Sequence, residues 1–134
     1  MANEETKFID EEELNKAQDD ADKEEQDAVQ KNIDSGKRIV ILKKPLNVLG
    51  TEYKELHFDF DSLTGKDSIA VETEIEMTTH VTVITPALNL EYLIRISVKA
   101  CQEPISRDDI VNMNLSDFNH IRNIARNFML RSDR

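Results

Sequence analysis

Cysteine, glycine, proline and long apolar runs are all scarce in this chain, and tryptophan is absent. A single cysteine, Cys101, excludes an intramolecular disulfide and a multi-cysteine zinc site. It sits in an apolar stretch and reads as a buried structural thiol. No stretch approaches the roughly 18 consecutive apolar residues of a membrane-crossing helix. The N-terminus has no basic-then-apolar signal pattern. With three glycines in 134 residues there is no glycine-rich phosphate loop. Basic charge is short as well, with 17 Lys and Arg against 27 Asp and Glu, so no basic face points to nucleic acid. The expectation is a cytosolic protein in a reducing compartment, without a cofactor.

What is present is unevenly distributed. Residues 1–36 hold 13 acidic residues and 4 lysines, a net of −9, whereas the remaining 98 residues have a net of −1. In that arm only Phe8, Ile9, Leu14, Val29 and Ile33 could pack. They are too few to offset the ordering entropy of the segment. The arm therefore reads as disordered, or as a frayed helix, and as a solubilising tail. Residues 37–134 form the single domain, with a modest core.

That domain opens with RIVILKKPLNVLGTEYKELHFDF. Ile39 to Leu42 is a short apolar run that Pro45 is expected to end, and Gly50 supplies a turn signal. From Tyr53 to Phe60 the residues alternate. Two such runs around a Pro- and Gly-containing connection predict an antiparallel β-hairpin. Period-two alternation sends Leu56, Phe58 and Phe60 to the core and His57, Asp59 and Asp61 to solvent.

Those three polar residues are the candidate site. A calcium loop needs Gly at its sixth position and an acid at its twelfth. Counted from Asp59 these places hold Thr64 and Ala70. The Asp59-Phe60-Asp61 triplet also resembles the nucleophile motif of haloacid-dehalogenase-type phosphatases, but Leu63 stands where a Thr or Val is usual and His57 interrupts the preceding apolar strand. The reading is a wet strand face. The catalytic alternative is a small metal-dependent hydrolase using Asp59 and Asp61, with His57 beside them.

The rest of the chain reads as helical. Thr64 and Asp67 form a capping-box start. SIAVETEIEMTTH fits helix and strand alike and is read as helix ending at His80. ALNLEYLIRISVKACQE is equally ambiguous, and its length favours helix. Ser106 and Asp109 make a second capping box, and Ser116 is expected to cap the last helix. There Phe118, Ile121, Ile124, Ala125, Phe128 and Met129 share one apolar face, with His120 outside it and Arg126 and Arg131 near the C-terminal end of the dipole.

In order, Lys44-Pro45, Gly50 to Leu56, Leu63 to Asp67, Leu90 to Leu93, Lys99 to Cys101, Pro104-Ile105, Leu115 to Phe118 and Asn127 to Leu130 resemble the tail assembly chaperones of long-tailed phages and prophages. The resemblance spans residues 38–130; the acidic arm departs from it. It implies an α+β fold, a hairpin followed by helices, and resolves both ambiguous segments as helical. It further implies a non-enzymatic partner of the tail tape-measure protein that keeps it soluble and helps recruit major tail protein. Such a protein acts in the host bacterial cytoplasm and is absent from the mature virion; self-association is compatible with this role. The other alternative, suggested by the arm, is an acidic DNA-mimic or regulatory protein.

Overall fold

The computed structural model describes residues 36–132. They lie in the second of two units, Ser35–Arg134. The expectation of a disordered acidic arm falls on residues 1–36 and, Gly36 apart, lies outside the described residues. The described fold is α+β, an antiparallel hairpin followed by helices.

Strands β1 (Lys37–Val48) and β2 (Thr51–Asp59) are joined by the two-residue turn Leu49-Gly50. Both turn residues have positive φ, 51° and 88°, which matches the right-handed twist of the flanking strands. Gly50 adopts this conformation freely, whereas Leu49 adopts it while 98% exposed. The Asn47 side-chain oxygen accepts from the Gly50 N–H at 3.1 Å and holds the turn closed.

Pro45 does not end β1, contrary to the sequence expectation. The register shifts between Ile41 and Leu46, so residues 42–45 bulge opposite Lys54 alone. A proline is tolerated there because a bulged residue owes the ladder no N–H. The bulge amides of Lys43 and Lys44 donate instead to the carboxylate of Asp117, at 3.0–3.3 Å. At the other end of the hairpin Gly36, at φ 69°, accepts from the Phe60 N–H at 3.0 Å. The positive φ favours glycine there, and a Cβ at Gly36 would also stand 2.7 Å from the Asp61 carboxylate and displace it.

Leu56 and Phe58 point inward as the alternation predicts, and Val40 and Leu42 of β1 are buried beside them. Phe60 is buried too, from a 3-10 turn (Phe60–Ser62) rather than from the strand. Helix α1 (Gly65–Thr79) starts at the Thr64–Asp67 capping box and stops at His80 in the left-handed conformation, φ 60°. It buries Val71 and Ile75 but leaves Ile69 and Met77 exposed on the other side. Apolar residues on two faces explain why its sequence also looked like a strand.

A second 3-10 turn (Pro86–Leu88) leads to α2 (Leu90–Ala100), capped by Asn89, whose side chain accepts from the Tyr92 N–H at 2.9 Å. This is the central helix. Tyr92, Leu93, Ile94, Ile96, Ser97 and Ala100 are all buried, an arc wide enough to satisfy both periodicities. The buried Ser97 hydroxyl donates to the Leu93 carbonyl at 2.7 Å, and the Tyr92 hydroxyl meets that of Ser68 at 2.6 Å. Helix α3 (Arg107–Val111) has the expected Ser106–Asp109 box. Helix α4 (Leu115–Ser132) begins one residue before the expected cap. Asn114, not Ser116, accepts from the Asp117 N–H at 2.9 Å. Its expected apolar face does pack inward, with Ile121 and Ala125 fully buried. Phe128 stacks on Phe60 with ring centroids 5.2 Å apart, and Phe60 on Phe58 at 6.1 Å.

Candidate functional site

His57, Asp59 and Asp61 do not converge. His57 is half-buried, because residues 101–103 return along the β2 edge through a single isolated bridge. Phe58 bridges Cys101, the Gln102 N–H donates to the His57 carbonyl at 2.8 Å, and the His57 N–H donates to Glu103 at 2.6 Å. The imidazole Nδ1 lies 2.9 Å from the other Glu103 oxygen, and Nε2 is 3.8 Å from Glu55. Burial works against the Glu103 carboxylate, but hydrogen bonds from the His57 backbone and ring outweigh it and hold the carboxyl below the usual glutamate range. His57 thus departs from the expected solvent position: strand alternation gives its side of the sheet, but the returning segment half-buries it.

Asp59, at the end of β2, is half-buried with Oδ1 lacking a hydrogen-bond partner. Asp61 is exposed in the 3-10 turn, its carboxylate against Gly36. Among the described residues no three His, Cys, Asp or Glu side chains group as metal ligands. Replacing both aspartates with Asn removes charge from an unpartnered oxygen and from a surface turn. Asp61 is a surface position and the buried Asp59 oxygen has no partner to lose, so the double variant should unfold in urea within about 1 kcal/mol of the parent; a larger loss would reveal an organised site.

Cys101 is half-buried, and burial pushes its thiol up to about 12. It stays protonated near neutral pH and is a poor nucleophile. His80 caps α1 and His120 is exposed on α4. A surface network surrounds Glu91, which takes Arg107 through both carboxylate oxygens, at 2.5 and 3.2 Å, and Arg95 at 3.4 Å. Burial disfavours the Glu91 charge, but Arg107 and Arg95 outweigh that and lower its pKa. Bonds of this kind tie α2 to α3.

The described residues also form concave surfaces, among them these three. One, on the outer hairpin face, has Ile41, Tyr53, Glu55, His57 and Glu103 along it and a volume of about 510 Å³. A second, of about 400 Å³, opens between the Phe60–Ser62 turn, the start of α1, α2 and the last turns of α4. Phe60, Leu63, Ile96, Phe128 and Met129 make it mainly apolar, and Tyr92 and Ser68 border it. The third, of about 190 Å³, lies between Leu88, Leu90 and Leu93 and the α4 residues Arg122 and Arg126. Sequence reasoning assigned Phe128 and Met129 to the core face and did not foresee that they also border an opening. Their place at the last turns of a long helix, beyond its deepest contacts, was the available signal.

No protein-family model matches the chain, and no curated protein or solved structure matches it. No helix among the described residues is long and apolar enough to cross a membrane.

Proposed function

We propose that this chain is a phage tail assembly chaperone that binds helical segments of the tail tape-measure protein, keeps them soluble and helps recruit major tail protein. It acts in the host bacterial cytoplasm and leaves before the virion matures. The reading starts from the ordered resemblance over residues 38–130. The observation that carries it further is the apolar opening between Phe60, Leu63, Ile96, Phe128 and Met129. An amphipathic helix presents apolar side chains at i, i+3, i+4 and i+7, a stripe suited to such a groove. Met129 at its border supplies an unbranched, adaptable contact that tolerates varied partner side chains. The Phe60 side of the opening is held in place, since Phe60 stacks between Phe58 of β2 and Phe128 of α4.

Co-expression tests this. The tape-measure protein alone should be insoluble, and with this chain it should enter the soluble fraction as a complex. Unchanged solubility, with no complex eluting at any salt concentration, would sink the reading.

A further inference from the structure

The smallest of these three concave surfaces combines an apolar floor with positive charge on its rim. Leu93 is buried at its base, while Leu88 and Leu90 are 68% and 44% exposed. Arg122 and Arg126 stand one helical turn apart on α4 along its rim. Arginines on α2 and α3 are paired differently: Arg95 lies against Glu74 and Glu91, and Arg107 against Glu91 and Asp108. Neither Arg122 nor Arg126 forms an ion pair with a described residue, and Arg122 instead lies over the Phe118 ring, 6.0 Å from its centroid.

We infer that this groove binds an acidic amphipathic helix, seating one large apolar side chain between Leu88, Leu90 and Leu93 while two carboxylates of that helix engage Arg122 and Arg126. Its volume of about 190 Å³ suits one such side chain; a cavity of roughly 150 Å³ already admits benzene. Two guanidinium groups four residues apart are separated by about 6 Å along the helix axis. That is the rise between Asp or Glu residues at i and i+4 of a partner helix. Arginine suits the pairing because its planar fork binds carboxylate through two hydrogen bonds. The alternatives fit less well. Anionic lipid recruits clusters of about four to eight cations, and a nucleic acid backbone likewise needs a basic stripe. Here a leucine floor carries two.

This goes beyond the tail-chaperone proposal, since it names another groove and the charge of what fills it; a tape-measure complex formed through the Phe60–Phe128 opening would survive its failure. Fluorescence anisotropy tests it with the full chain and two labelled designed peptides of about five helical turns. Both carry one leucine stripe; one is flanked by Glu at i, i+4 and the other by Lys. The acidic peptide should bind at least about tenfold more tightly than the basic one, a difference of about 1.4 kcal/mol. Arg122→Glu with Arg126→Glu should reverse that preference. Leu88→Asp, at an exposed position, should weaken the acidic peptide at least about tenfold with an unchanged circular dichroism spectrum. Equal binding of the two peptides, an acidic preference surviving charge reversal, or no binding of either up to millimolar concentration would each overturn the inference.

Discussion

Replacing Phe60 with Ala should cost the folded state about 3–5 kcal/mol, the range for a buried phenylalanine. The side chain is 2% exposed and is the middle ring of a stack running from Phe58 on β2 to Phe128 on α4. Truncation removes burial and opens a cavity between hairpin and helices, where neither side can collapse without shifting the other. Domains of this size have total stabilities of about 5–15 kcal/mol, so the variant should be marginal. Its melting temperature should fall by more than about 12 °C at roughly 4 °C per kcal/mol. A double-mutant cycle with Phe128→Ala should show a coupling of about 0.5–1.5 kcal/mol for the ring pair. A loss below about 1 kcal/mol would mean that the turn carrying Phe60 repacks at little cost.

Asp117→Ala should be the most damaging polar substitution, at about 2–3 kcal/mol by urea unfolding. The residue is 3% exposed, and its carboxylate accepts from the Lys43 and Lys44 amides of the β1 bulge. Without it two backbone donors lose their partner, and an unsatisfied buried donor costs about 1–3 kcal/mol. Asp117 also lies in the first turn of α4, where the helix dipole favours negative charge. Asp117→Asn keeps one acceptor oxygen and should recover about half of the loss. Equal losses in both variants would show that charge, not acceptance, matters at this position.

Asp117 also marks how far the sequence could be read. Local patterns revealed the hairpin, the Thr64 and Ser106 capping boxes and the apolar face of α4, because each is written within a few residues. Pro45 misled because its tolerance depends on a carboxylate more than 70 residues away that satisfies the neighbouring amides. His57 misled for the same reason: Glu103 reaches it from the far side of α2 in sequence. The last cap was misplaced because Asn114 and Ser116 are both good capping residues, and only geometry decides between them. Helices α1 and α2 were ambiguous for opposite reasons. The first exposes Ile69 and Met77, whereas the second is buried over most of its circumference. Of the candidate site, the outward direction of Asp61 was legible. The grooves were not, since each is assembled from turns and helix ends distant in sequence.

The central claim is that a partner helix seats between the Phe60 turn and the end of α4. Methyl-detected NMR of the full chain, titrated with helical segments of the tape-measure protein, addresses it most directly. The account predicts shifts at Leu63, Ile96 and Met129, which border that opening. Shifts confined to Ile39 and Ile41 on the outer hairpin face, or none at saturating peptide, would contradict it.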